Sequence, residues 1–141
     1  MKTIRKLFFV VALIIPHALN AQCDSDTFLD NCAAKLDTYT FIKAFNTSMR
    51  KTQTVEYSYV FSKGSTYLII PCDEGIEGRR MIVNLYDRNH KLIASTYNKR
   101  KKTFYPDLAY PCSATGVYYM EVTFDGSKGG CGVCLLGFKK N

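Results

Sequence analysis

The sequence contains no tryptophan and only two histidines. Beyond its first residues it has no apolar run near the ~20 residues that cross a bilayer. Each shortage removes a class of function. One histidine, His17, stands in the leader described below, so His90 is the single imidazole left for acid–base or metal chemistry. No G-x-S-x-G segment is present to supply a hydrolase nucleophile, and His90 sits in a turn. No glycine-rich loop follows a strand and opens a helix, which removes nucleotide binding. Without tryptophan, the aromatic platform of a sugar binder would rest on tyrosine and phenylalanine alone, and most of these alternate on strand faces as core. Internal repeats, coiled-coil heptads and disordered tails are also missing.

What is present begins with an export pattern. Lys2, Arg5 and Lys6 precede the nine-residue apolar run Leu7–Ile15, and Ala18-Leu19-Asn20-Ala21 closes it with small residues. This order is that of a secretory signal cleaved near Ala21, and the run is too short for an anchor. Cys23 raises the alternative of a lipoprotein, but Gln22 is bulky where a lipid-attachment signal has a small residue; the soluble form is expected. Residues 22–141 then form one expected domain of 120 residues. Its net charge falls from +7 to +4 once the leader's three cations are removed. All six cysteines, Cys23, Cys32, Cys72, Cys112, Cys131 and Cys134, lie beyond the cut, and an oxidising compartment would pair them as up to three disulfides. The expected location is therefore periplasmic, extracellular or at the cell surface.

Periodicity assigns the elements. Phe28, Leu29, Cys32, Ala33 and Leu36 recur at helical spacing, with Ser25 as N-cap, which predicts one helix over 25–36. From Tyr39 the period changes to two. Val55, Tyr57, Tyr59 and Phe61 alternate with polar residues, Val60 being the one apolar exception; Lys63-Gly64-Ser65 then reads as a hairpin turn into Thr66–Ile70. Met81–Tyr86 and Leu92–Ala94 form a second hairpin about Asp87–His90. Tyr105–Tyr110 is extended, Val117–Phe124 is a strand with Tyr118, Met120, Val122 and Phe124 on one face, and Cys131–Lys139 closes the chain. Seven or eight short strands without intervening helices predict an all-β, antiparallel, jelly-roll-like β-sandwich with one short N-terminal helix.

Three segments carry a resemblance. They are Tyr57–Tyr67 (YSYVFSKGSTY), Val83–Ser95 (VNLYDRNHKLIAS) and Ala114–Val122 (ATGVYYMEV). Their order, an aromatic strand with a K-G turn, then L-Y-D, a turn and I-A, then T-G-x-Y-Y, resembles the pre-peptidase C-terminal family of bacterial secreted β-sandwich domains over about residues 57–138. The resemblance implies a jelly-roll-like sandwich serving as a non-catalytic accessory to secreted hydrolases. The chain departs from that pattern in having no peptidase ahead of the domain, in its six cysteines and in placing His90 where the turn commonly has glycine. None of the calcium-ligand positions of that family is matched.

Among the chemistry-bearing candidates, Cys131-Gly132-Val133-Cys134 has the C-x-x-C spacing of thiol oxidoreductases, but Leu135–Phe138 reads as a strand, so the helix that would activate the first thiol is missing. Zinc would need a second such pair. Cys72 and Cys112 each follow a proline at the end of an extended segment and are the favoured disulfide. Cys23 could clip to Cys32, or Cys131 and Cys134 could cross-pair with these N-terminal cysteines; six cysteines allow 15 connectivities. Asp73-Glu74 with Glu77 is a candidate calcium loop, whose ordinary reading is a solvated acidic loop. Lys99-Arg100-Lys101-Lys102, with Arg79-Arg80 at another strand edge, could meet an anionic polymer or membrane surface, or simply keep sheet edges apart. Four charges in one loop fall short of the extended face of a nucleic-acid binder. Asn46-Thr47-Ser48 is a glycosylation sequon. The expectation is a secreted, non-catalytic binding or structural module with a protein or polysaccharide partner and no cofactor or metal. The alternatives are an oxidoreductase at Cys131/Cys134 and an anionic-surface binder at Lys99–Lys102.

Overall fold

Two-residue alternation between apolar and polar side chains decides the long strands. The computed structural model describes residues 23–141; the signal assigned to Met1–Ala21 lies outside them. A helix, α1 (Ser25–Ala33), tightens into a single narrow turn over Ala34–Leu36. Ten strands follow: β1 (Thr40–Met49), β2 (Val55–Phe61), β3 (Ser65–Asp73), β4 (Met81–Tyr86), β5 (Leu92–Ser95), β6 (Tyr97–Asn98), β7 (Thr103–Phe104), β8 (Leu108–Pro111), β9 (Gly116–Phe124) and β10 (Gly130–Lys140). Eight of them wind as a jelly roll: one sheet has the order β1-β10-β3-β8, the other β2-β9-β4-β5, all antiparallel. The two strands beyond the expected seven or eight, β6 and β7, pair only with each other.

The helix is capped one residue earlier than expected. Asp24, not Ser25, is the N-cap, its carboxylate accepting from the Thr27 amide at 3.3 Å and the Thr27 hydroxyl at 2.6 Å. These bonds lower the Asp24 pKa from the ordinary carboxylate value.

The expected first hairpin is not one. Gly64 supplies a left-handed turn at φ 84°, but β2 and β3 lie in different sheets, so the turn carries the chain across the core. Phe61 and Tyr67, on either side of it, both point inward and stack at 3.8 Å between ring centroids. Inward burial of two aromatics outweighs a ladder between adjacent strands here. The second hairpin, β4–β5, forms as expected.

The main core lies between the sheets and includes Phe61, Ile69, Val83, Leu85, Met120, Val122 and Leu136, each 0% exposed. A second core forms on the opposite face of the β1-β10-β3-β8 sheet, where Phe28, Leu29, Cys32 and Leu36 of the helical segment cover Leu68, Ile70, Val133 and Leu135. This is why β3 and β10 read as unbroken apolar runs: both of their faces are buried.

The same alternation sorts the cysteines. Cys131 bonds to Cys23 and Cys32 to Cys72, with Cα–Cα distances of 5.5 and 6.2 Å, tying the N-terminal segment and helix to the strands beneath. Cys112 and Cys134 are buried free thiols, so two disulfides form rather than three. The cross-pairing of Cys131 with an N-terminal cysteine is therefore present, whereas Cys72–Cys112 and Cys23–Cys32 are not. Cys72 belongs to the helix-covered core and Cys112 to the inter-sheet core. Antiparallel pairing sets Cys112 beside Ser65 at the far end of β3, roughly 23 Å from Cys72 along the strand. Cys131 and Cys134, three residues apart on a strand, face opposite sides of the sheet, and Cys134 packs between the sheets.

Candidate functional site

Strand register brings several polar connections to one end of the sandwich. Met49 pairs with Gly130, Asp73 with Gly132, Val55 with Val122 and Met81 with Phe124. The β1–β2, β3–β4 and β9–β10 loops therefore emerge together. Backbone contacts join them: Thr52 donates through its amide and hydroxyl to the carbonyls of Ser127 (3.2 Å) and Gly126 (2.8 Å).

The β6–β7 hairpin is hung from the same end. Thr96, 1% exposed, continues the β4–β5 ladder: its amide donates to Val83 O, its hydroxyl accepts from Val83 N, and its carbonyl accepts from Tyr105 N, at 2.8–2.9 Å. The chain after Thr96 thus runs beside the start of β4. At the tip, Asn98 Oδ1 accepts from the amides of Arg100 (3.1 Å) and Lys101 (3.0 Å), an Asx-type turn that holds Lys99–Lys102 outward. Lys102 closes the turn at φ 51°.

Arg80 fastens the hairpin to the β3–β4 loop. Its guanidinium lies 4.9 Å over the Phe104 ring, and its Nε stands 3.2 Å from the carboxylate of Asp73. That carboxylate, whose side chain is 7% exposed, also accepts from Met81 N (2.6 Å) and Gly75 N (2.7 Å). Asp73 is thereby occupied by protein donors rather than offered to an ion. Among the described residues no group of three or more His, Cys, Asp or Glu side chains is arranged to hold a metal.

The assembled end carries nine cationic side chains, Arg50, Lys51, Arg79, Arg80, Lys99, Arg100, Lys101, Lys102 and Lys128, against the five carboxylates Asp73, Glu74, Glu77, Asp107 and Asp125. That is an excess of four positive charges at this end. The structure joins the two basic segments noted in the sequence, Lys99–Lys102 and Arg79-Arg80. Arg50, Lys51 and Lys128 were not legible as members. No local signal marks them; only the pairing of Met49 with Gly130 and the Thr52–Ser127 contact place them there.

The other candidates are placed apart from this end. His90, in the β4–β5 turn at φ 56°, stacks on Tyr119 at 4.1 Å, with Nε2 3.4 Å from Glu56. Glu56 and Glu121 are cross-strand neighbours, a repulsive arrangement in which Asn84 (3.1 Å) and Tyr86 (3.3 Å) both donate to Glu121. Burial, then the Glu121 charge, raises the Tyr86 phenol above its ordinary value. A cleft of about 280 Å³ lies at the end remote from the basic loops, between Arg88 and Asn89 on one side and Ser113 to Thr115 on the other. Its polar groups are largely engaged: Asp87 accepts from the amides of Asn89 and Lys91, and Tyr118 donates to the Ala114 carbonyl at 2.8 Å. Of the C-x-x-C pair, Cys131 is bonded to Cys23, and full burial pushes the Cys134 thiol up to about 12. Asn46 of the sequon is exposed on β1, while Thr47 is buried with its hydroxyl 3.0 Å from Tyr57.

Neither a family model nor a curated protein matches this chain.

Proposed function

We propose that this chain is an exported, non-catalytic binding module that engages an anionic surface through its basic end. One observation carries the reading: strand register gathers nine cations at one end against five carboxylates. A net positive end orients a molecule in the field of an anionic partner and speeds its capture. Export is supported by the basic, apolar, small-residue leader and by two disulfides, which persist in oxidising compartments. An accessory role agrees with the resemblance carried by Tyr57–Tyr67, Val83–Ser95 and Ala114–Val122. The oxidoreductase alternative draws little support, because Cys131 is bonded to Cys23 and Cys134 is shielded.

Retention on immobilised heparin, an anionic polymer, tests the reading. The protein is expected to bind at low salt and elute as salt rises, since exposed charges are screened beyond ~8 Å at physiological ionic strength. Replacing Lys99, Arg100, Lys101 and Lys102 by Gln is expected to shift elution to markedly lower salt. No retention of the unaltered protein at low salt would remove the proposal.

A further inference from the structure

We infer that the anionic surface is a phospholipid membrane, seated by the β3–β4 and β9–β10 loops; this rests on the basic-end reading above. Charge alone does not separate a lipid from an acidic polysaccharide. The discriminating feature is an aliphatic side chain at the tip of the charged end. Ile76 is 49% exposed in the β3–β4 loop, where its carbonyl accepts from Arg79 N at 3.0 Å. Gly75 and Gly78 flank the tip at φ 69° and 76°, each with open space where a Cβ would stand. Their glycine identity thus serves the left-handed backbone of the loop that carries Ile76, not tight packing. A branched aliphatic held outward among cations has no counterpart in a polysaccharide, whereas it matches the acyl region beneath anionic headgroups.

Ile76 itself borders an open hollow of about 620 Å³, with Glu77, Gly78, Arg79, Gly126, Ser127 and Lys128 as its other lining. The floor exists because Gly126 approaches the Gly78 backbone closely: a Cβ at Gly126 would stand 2.6 Å from Gly78 O. The hollow falls within the ~300–1,000 Å³ of small-ligand sites. Arg79 and Lys128 flank it with positive charge suited to a headgroup phosphate, and Glu77 faces the same space and would pair with a headgroup hydroxyl or ammonium. Lys99–Lys102 and Arg50-Lys51, on loops at the same end, add to the positive field that an anionic leaflet meets.

The experiment is co-sedimentation with vesicles of phosphatidylcholine alone and of phosphatidylcholine with about one-third phosphatidylglycerol, run beside heparin retention. Binding to the phosphatidylglycerol vesicles only, weakened by salt, is expected. Ile76→Ser is expected to lower vesicle affinity about fivefold through the lost apolar insertion while leaving heparin retention unchanged. Its exposed position keeps the fold intact, which an unchanged thermal midpoint verifies. Arg79→Gln with Lys128→Gln is expected to lower vesicle affinity more than tenfold. Heparin retention without vesicle binding would overturn the lipid assignment and leave the basic-end reading standing. An Ile76→Ser protein that binds vesicles as tightly as the parent would also overturn it. Failure of both assays would remove both proposals.

Discussion

The guanidinium of Arg80 lies 4.9 Å over the ring of Phe104, joining the β3–β4 loop to the base of the basic hairpin. Neither residue belongs to the inter-sheet core, yet their contact decides whether Lys99–Lys102 is a free flap or part of a built surface.

Removing that clasp should be measurable. Arg80→Ala takes away the stacking and leaves the buried Asp73 carboxylate without its cation, for a loss of about 1–2 kcal/mol. Arg80→Lys keeps the charge but not the planar stack, so an intermediate loss is expected. Urea denaturation gives both values, and an unshifted midpoint for Arg80→Ala would contradict the clasp.

The disulfide map is the most direct check on the cysteine assignment. Proteolysis under non-reducing conditions should yield linked peptides containing Cys23 with Cys131 and Cys32 with Cys72, with two thiols titrating only after unfolding. Replacing Cys32 and Cys72 together by Ser is expected to cost ~2–4 kcal/mol and to loosen the helix from the sheet. A peptide linking Cys72 to Cys112 would sink the pairing.

Alkaline pH should destabilise the fold through Cys134. Burial raises its pKa from 9.0 to about 12, so the folded state holds a proton that the unfolded state releases. The associated stability is complete below pH 9 and is lost as pH climbs toward 12. Tyr118 and Tyr86, raised first by burial, add the same sign above the ordinary tyrosine value of 10.0. Cys134→Ala should flatten the fall in denaturation midpoint that starts near pH 9; an unchanged slope would assign the effect to the tyrosines alone.

Phe61 is the central ring of the inter-sheet core, stacked on Tyr67 at 3.8 Å and Tyr118 at 4.8 Å. Truncation to Ala is expected to cost roughly 3–5 kcal/mol. A loss under 1 kcal/mol in equilibrium unfolding would mean that the site collapses around the gap far better than close packing allows.

The strands were legible wherever one face is buried. Val55 to Phe61, Met81 to Leu85 and Tyr118 to Phe124 keep strict alternation because sheet-on-sheet packing buries every second residue. The expected hairpin at Gly64 failed for a non-local reason. A tight turn is compatible with pairing in one sheet or crossing to the other, and the choice rests on what Phe61 and Tyr67 find across the core. The candidate site was half visible: Lys99–Lys102 and Arg79-Arg80 stand out as charge runs, whereas Arg50, Lys51 and Lys128 are scattered over loops that only strand register unites.

The sequence by itself determined the element types, the helix near the N-terminus and the inward face of each regular strand, because these follow from local periodicity and propensity. Tertiary structure alone decided which cysteines meet and which charges share a surface. Both depend on residues far apart in the chain, Cys23 and Cys131 being separated by 108 positions. Their approach is set by the jelly-roll winding and by a helix covering one sheet, neither of which any short window of residues encodes.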